Sequence, residues 1–116
     1  MIGYTMVGTN DLRRAGAFYD PLMAEIGLER CFCDDAVLSW GRKTDDTVAR
    51  FFAGLPFDGN PASVGNGNMT AFHVADTGII DRLHGLAMEN GGSSEGEPGL
   101  RPHYGPGFYA AYVRDP

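Results

Sequence analysis

The sequence predicts an α+β fold made of two copies of one β-α-β-β-β unit. A strand-like segment that ends in aspartate occurs at residues 4–11 and again at 69–76, so Asp11 and Asp76 lie 65 positions apart (76 − 11). Each aspartate precedes apolar residues spaced three and four apart, which indicates an amphipathic helix. Seventeen glycines and seven prolines suit short strands that are joined by tight turns.

The first copy supports this order in detail. Residues 4–9 alternate with a two-residue period, which is typical of a strand, and Asn10 or Asp11 can cap the helix that follows. The apolar stripe ends at Gly27, while Pro21 predicts either a kink or an ending followed by a short second turn. Three further strand-like segments occupy residues 30–33, 36–40 and 47–55.

The second copy is shorter. We predict a strand at 69–74, a helix capped by Asp76 or Thr77, a loop rich in glycine and proline, and a final strand at 107–114. His84 falls on this helix, and we expect it near the surface. The connecting segment contains Gly65-Asn66-Gly67-Asn68, which we interpret as a turn because no helix follows it directly to hold a phosphate.

Composition excludes several functions. The chain has 116 residues, the length of one domain, and its net charge is −6 with no run of lysine or arginine. Binding to nucleic acid or to an anionic membrane requires clustered cations, so neither is an expected partner. The sequence contains no apolar stretch of membrane-spanning length and no signal-peptide pattern, and we expect a cytoplasmic protein.

Cys31 and Cys33 stand one residue apart in a strand-like segment. Regular alternation would place both thiols on the same side of the strand, where a disulfide over so short a loop would be strained. We interpret them as two reduced cysteines, with a metal or redox role as the alternative. Two thiols alone cannot complete a four-ligand zinc site.

Several strings resemble one bacterial branch of the glyoxalase/bleomycin resistance protein/dioxygenase superfamily, also called vicinal oxygen chelate proteins. They are Phe57-Asp58-Gly59 with Gly65-Asn66-Gly67, then residues 99–104 and 109–116. The resemblance implies tandem βαβββ modules that form an open, incomplete β-barrel around a cleft. Module one spans about 1–56, the linker about 57–67 and module two about 68–116, all within one domain, and the second module lacks its last strand.

The same resemblance implies where a divalent metal would bind. Family members usually place a histidine ligand seven residues before each helix-entry aspartate, and those positions here hold Tyr4 and Met69. A glutamate ligand follows the Asp-Pro turn in the family, but this chain ends at Asp115-Pro116, and residues 51–55 include no carboxylate or histidine. Because divalent ions prefer carboxylate and imidazole ligands, we expect no metal and no cofactor.

The function predicted from these observations is metal-free binding of a small, partly apolar ligand in the cleft. One alternative is a lyase, dioxygenase or thiol transferase of the same fold, with a divalent metal and an atypical site at His73 or His103. A second is a remnant without ligand. Because the missing strand would leave an open sheet edge, we expect a homodimer. The predicted cleft residues are Tyr4, Met6, Trp40, Phe52, Met69, His73, His103 and Tyr109, with Ala71 and Tyr112 as further candidates.

Overall fold

A computed structural model describes the whole chain, Met1–Pro116, and shows an α+β protein with two helices and six strands. Contacts divide it into two compact units, Met1–Phe72 and His73–Pro116. Neither helix is long and apolar enough to cross a membrane. The α+β class predicted from the sequence is therefore confirmed.

The first unit contains one helix and a mixed four-stranded sheet. Its elements are β1 (Tyr4–Gly8), α1 (Leu12–Glu25), β2 (Glu29–Cys33), β3 (Val37–Gly41) and β4 (Arg50–Gly54). The strand order is β1-β4-β3-β2, with β1 parallel to β4 and the other neighbours antiparallel. The three strands predicted after the first helix all form, with boundaries shifted by a few residues at most.

Helix α1 begins and ends as the sequence predicts. The Asp11 side chain caps it by accepting a 3.0 Å hydrogen bond from the backbone N–H of Arg14. Gly27, at φ +77°, follows its end in the left-handed conformation that glycine adopts without strain. The helix continues through Pro21, so the predicted alternative of an ending at that residue is wrong.

The core of the first unit lies between α1 and one side of the sheet. Tyr19 packs against the rings of Trp40 and Phe51, with centroid distances of 5.5 and 4.8 Å. The polar edge of Trp40 is also satisfied, because its Nε1–H donates to Asp20 at 2.9 Å. This aromatic packing assigns one side of the sheet to α1. The other buried apolar residues of this core are Ala15, Phe18, Leu22, Met23, Leu38 and Ala53.

Strand β2 contains a bulge that the sequence does not reveal. Arg30 pairs with Trp40 and Cys33 with Leu38, so two residues of β2 lie opposite Ser39 alone. The buried Ser39 hydroxyl closes the bulge, since it accepts from the Phe32 N–H at 3.0 Å and donates to the Phe32 carbonyl at 2.8 Å.

The bulge also corrects the prediction for the two cysteines. Cys31 lies beside Gly41, whereas Cys33 is in register with Leu38, a residue of the opposite parity in β3. Both thiols are free, and Cys33 is exposed. The prediction that they share one side of the strand is wrong, because the extra residue shifts the alternation between them.

The second unit contains α2 (Thr77–Glu89), β5 (Ser93–Leu100), a short 3-10 helix (Pro102–Tyr104) and β6 (Tyr109–Arg114). Strands β5 and β6 form an antiparallel pair with two irregularities, at Ser94/Gly96 and Gly96/Gly99. Asp76 caps α2 by accepting from the Ile79 N–H at 3.0 Å. The predicted helix and final strand are both present.

Two predictions for the second copy are wrong. Residues 69–75 form no strand, because no other segment of the chain pairs with them, and strand structure depends on that pairing. Conversely, β5 occupies the region predicted as a loop. Its glycines and Pro98 are weak strand formers, but the two irregularities accommodate them, and Pro98 lies on a strand with one neighbour. The tandem βαβββ arrangement is therefore not complete in this chain.

The bulge provides a test of the fold. Replacing Ser39 by alanine removes the hydroxyl that pairs both backbone groups of Phe32, so we expect a loss of about 1–3 kcal/mol in the free energy of unfolding. Urea denaturation measures this loss. The control is S63A, the same change at an exposed loop residue. Equal stability of the two variants would contradict the role of Ser39.

Candidate functional site

The side of the first sheet opposite α1 carries an exposed cluster of apolar side chains. Alternation along β1 and β4 places Tyr4, Met6 and Phe52 on this side, since Phe51 faces the helix and Met6 is in register with Phe52. The Tyr4 and Phe52 rings meet edge to face with centroids 5.3 Å apart. Tyr4 is 66% exposed and Met6 49%. We call this side, with Arg50 of β4, the open face.

Two glycines shape the open face. A Cβ atom on Gly54 would lie 2.5 Å from the Met6 methyl carbon, and one on Gly41 would lie 3.2 Å from Cγ of Arg50. The absence of side chains at these positions lets Met6 and the stem of Arg50 lie close to the sheet. The open face is therefore a shallow apolar surface that carries one cationic side chain.

Arg50 is the charged member of the open face. Its Nη2 lies 3.0 Å from Oδ1 of Asp46, four residues earlier, in an ion pair whose acidic side chain is 93% exposed. Its stem crosses Gly41, beside the thiol of Cys31. Asp45, next to Asp46, accepts hydrogen bonds from the side chain and backbone of Thr47, which lower the pKa of its carboxyl.

Trp40 does not belong to this cluster. It is 1% exposed and packs on the α1 side of the sheet, where its Nε1–H is bonded to Asp20. The prediction that it lines a cleft is therefore wrong. The segment around it, Val37-Leu38-Ser39-Trp40, is apolar on both sides of the strand apart from Ser39, so alternation alone cannot set its phase.

Met69 and His73 lie in the segment 69–75, which forms no strand. Met69 is 74% exposed, and His73 is exposed as well. The prediction that they share a strand face with Ala71 is therefore wrong. Both side chains are accessible, and their contact with a ligand stays a prediction.

The predicted site residues of the second unit differ in whether their side chains make contacts within the unit or are accessible. Tyr109 turns toward α2, and its hydroxyl donates to Oδ1 of Asp81 at 2.7 Å. His103 is exposed in the 3-10 helix, with its ring 4.1 Å from the Tyr104 ring. Tyr112 packs beneath the Arg101 guanidinium, 5.4 Å from ring centroid to Cζ. The structure thus places Tyr109 and Tyr112 in contacts within the unit and leaves His103 accessible.

The prediction that His84 lies near the surface is wrong. His84 is 7% exposed rather than near the surface, and its Nε2 lies 3.0 Å from the Ser94 hydroxyl. The spacing Ile80, His84, Ala87 would have indicated its position, because residues at four- and three-residue steps share a helix face. Its Nδ1 is 3.8 Å from Glu97, which is too long for a hydrogen bond. The Ser94 hydroxyl therefore satisfies the buried imidazole.

The donor groups on the open face do not fit a divalent metal. The face offers a phenol, a thioether, a phenyl ring and a guanidinium, whereas such ions select carboxylate, imidazole or thiolate ligands. Across the chain, no group of three or more His, Cys, Asp or Glu side chains comes together in a way that could hold a metal ion. What the open face can do chemically is bind apolar and aromatic groups.

Comparison with solved structures identifies close similarity to one fold family. A crystal structure of a glyoxalase/bleomycin resistance protein from Albidiferax ferrireducens matches at 31% sequence identity and a TM-score of 0.86, over 100% of this chain and 90% of that one. A glyoxalase-related enzyme from Fulvimarina pelagi matches at 19% identity and a TM-score of 0.72, over 100% and 81% of the two chains.

A third structure extends the similarity. A glyoxalase/bleomycin resistance protein/dioxygenase family enzyme from Burkholderia phytofirmans matches at 14% identity and a TM-score of 0.65, over 98% of this chain and 89% of that one. At this identity the likeness concerns the fold. No protein-family model matches the sequence. No curated protein matches it either.

The Tyr109–Asp81 hydrogen bond has a consequence for stability at high pH. The bond to Asp81 is the main cause that raises the pKa of Tyr109, with smaller contributions from desolvation and from the Asp81 charge. The folded state therefore holds the phenol proton more tightly than the unfolded state. This stabilisation is complete below the unfolded pKa, about 10, and is lost as the pH rises through the folded pKa.

We therefore expect the wild type to exceed Y109F in stability by a margin that narrows as the pH rises from 9 to 11. Thermal unfolding of the two proteins across this range measures the margin. The control is Y104F, which removes the hydroxyl of an exposed tyrosine in the same unit. A margin that is constant with pH would refute the assignment.

Proposed function

Because the chain belongs to the glyoxalase/bleomycin resistance protein family, we propose that it is a metal-free protein that binds a small, partly apolar molecule on the open face. The observation that carries the proposal is the exposed edge-to-face pair of Tyr4 and Phe52 with Met6 beside it. Aromatic side chains that a protein leaves exposed together on a sheet face are typical of surfaces that bind another molecule.

The apolar surface that a ligand covers limits how tightly it can bind to the open face. Covering about 100 Å² of apolar protein surface contributes roughly 2.5 kcal/mol, and a ligand gains a similar amount from its own apolar surface. An aromatic ligand ring placed against Tyr4 adds about 0.5–1.5 kcal/mol through ring geometry. These contributions total about 6 kcal/mol, and the loss of rotational and translational freedom costs at least about 4 kcal/mol, so a contact of this size alone gives weak binding. Micromolar affinity, about 8.2 kcal/mol, requires a ligand for which about 450 Å² of apolar surface is covered, counted over protein and ligand together.

The metal-free part of the proposal rests on donor chemistry. Tyr4 occupies one position that the family resemblance assigns to a metal ligand, and Met69 occupies another. A neutral phenol is a poor ligand for a hard divalent ion, and a thioether suits softer ions such as Cu(I). The same two side chains are well suited to contact with an apolar ligand.

The proposal extends to the cleft predicted from the sequence. Met69, His73 and His103 are exposed, so a ligand can reach each of them. Tyr109 is engaged with Asp81, and a ligand contact would have to use its ring rather than its hydroxyl. Of the residues predicted to bind the ligand, those on the open face are the ones whose relative positions support the proposal.

A thermal-shift screen of aromatic compounds and thiol conjugates tests the proposal. A ligand at 100 times its Kd adds about 2.7 kcal/mol, which raises the melting temperature by about 10 °C for a chain of this length. We expect Y4A to weaken binding of a hit roughly 10-fold. Binding should persist with a chelator present.

The matched control is F57A, which removes a fully exposed aromatic ring in the turn after β4. This variant should bind like the wild type. No hit in the screen would contradict ligand binding and favour a remnant without ligand. Stoichiometric Zn, Fe, Mn or Ni in purified protein, lost together with binding on chelation, would overturn the metal-free assignment in favour of a metal enzyme of the family.

We further propose a homodimer. Within the chain, β6 has β5 as its one strand neighbour, so its outer edge presents backbone N–H and C=O groups without a strand partner. The segment 69–75, which forms no strand, adds exposed side chains that another copy can cover. Both features favour pairing between chains.

Sedimentation velocity at micromolar concentration tests this association. We expect a species of twice the 12.5 kDa chain mass. Replacing Val113, which is exposed on β6, by lysine places a charge on the edge strand, which opposes strand pairing between chains and should shift the species toward the monomer. V64K, in the exposed connecting segment, is the control. A wild-type monomer at this concentration would contradict the proposal.

A further inference from the structure

The open face carries one positive charge, and its position restricts which ligands fit. Arg50 begins β4, in register with Tyr4 and two residues before Phe52 on the same side of the strand. Two other cations, Arg42 and Lys43, are not on the strands of the open face. Both are exposed in the turn after β3, and Lys43 pairs with Glu29. A charged group that lies on Tyr4 and Phe52 therefore meets the Arg50 guanidinium first.

The stem of Arg50 is held against the sheet. A Cβ atom on Gly41 would approach its Cγ to 3.2 Å and its Cδ to 3.8 Å, so glycine at this position leaves room for the stem to cross β3. The Arg50 side chain is 28% exposed, much less than a freely extending surface arginine. The guanidinium is therefore positioned before any ligand arrives, which reduces the entropy that binding would cost.

The present partner of Arg50 is weakly held. Asp46 is 93% exposed and makes one hydrogen bond to the guanidinium, from Nη2 at 3.0 Å. Exposed ion pairs of this kind contribute little. A guanidinium has five N–H donors in a planar fork that matches a carboxylate, so a second acid can share the site or displace Asp46.

The two ends of the open face differ, since one end is charged and the other is apolar. Strands β1 and β4 run parallel, with Tyr4 and Arg50 at one end and Gly8 and Gly54 at the other. Four residue steps of strand measure roughly 13 Å. The end away from Arg50 is lined by Met6 and Val37, which contact the Gly54 position. A molecule that matches this pattern has an anionic head and an apolar body of about this length.

From these observations we propose that the open face selects carboxylates that carry an aromatic or apolar body, and that Arg50 binds their anionic head. This inference rests on the proposed function and narrows its ligand class. The net charge of −6 opposes the approach of an anion at long range, so the attraction must be local to Arg50. Asp46 is the acidic group that competes with the ligand for the guanidinium.

Isothermal titration with two matched probes tests the inference. The probes are 4-phenylbutanoate and 4-phenylbutan-1-ol, which share an apolar body and differ in charge. We expect the wild type to bind the acid at least about 10-fold more tightly than the alcohol. The variant R50Q should lose roughly 10- to 100-fold in affinity for the acid and stay within about twofold for the alcohol.

Two further variants make the test independent of any folding defect in R50Q. D46N removes the competing carboxylate and should strengthen binding of the acid a few-fold, the opposite direction to R50Q. R42Q makes the same change of charge in the turn after β3 and should bind both probes like the wild type. Circular dichroism confirms the fold of each variant.

The outcomes separate the two proposals. Equal binding of acid and alcohol by the wild type, or a preference for the acid that survives in R50Q, overturns the role of Arg50 and leaves binding on the open face intact. No change in acid affinity in D46N also counts against it. Binding of neither probe overturns both the inference and the proposed function.

Discussion

The packing of α1 against one side of the first sheet is the constraint on which the rest of this structure depends. Tyr19 lies against the Trp40 and Phe51 rings, and Asp20, the next residue of the helix, accepts both the Trp40 Nε1–H and the Arg30 guanidinium. Helix and strand are thus joined by apolar contact and by hydrogen bonds that leave no buried side-chain donor unpaired. Once these residues face the helix, alternation assigns every other residue of the strands to the opposite side.

The open face follows from this assignment. With Phe51 buried against α1, Arg50 and Phe52 must face away from it, and the parallel neighbour β1 places Tyr4 and Met6 alongside them. A sheet covered by helix on one side leaves the other available, and its use is determined by the residues on it rather than by the fold. Here these residues are aromatic, thioether and cationic, which favours an apolar anion over a metal ion.

Much of the first unit was predictable from local pattern. The Asp11 cap, the apolar stripe of α1, the stop at Gly27 and the two-residue period of β1 each follow from short-range chemistry. Phe52 joins Tyr4 and Met6 through its register with Met6, which the sequence does not reveal. Trp40 could not be placed, because its segment is nearly apolar on both sides and its phase depends on the partner strand. The bulge at Ser39 lies beyond prediction for a related reason, since the hydroxyl acts on Phe32 seven residues away.

The second unit shows why pattern alone was insufficient there. Residues 69–74 alternate like a strand, yet strand structure requires a hydrogen-bonding neighbour, and none is present within the chain. In contrast, β5 forms from a poor strand sequence because β6 pairs with it. Hydrogen bonding to a neighbouring strand, rather than the strand propensity of the residues, therefore decides which of these two segments forms a strand. The unit's buried residues are few, Ala87 and His84, and its two strands depend on packing against α2 because a hairpin alone is marginally stable. The first unit, in contrast, holds the open face in place with the aromatic core that packs between α1 and its sheet.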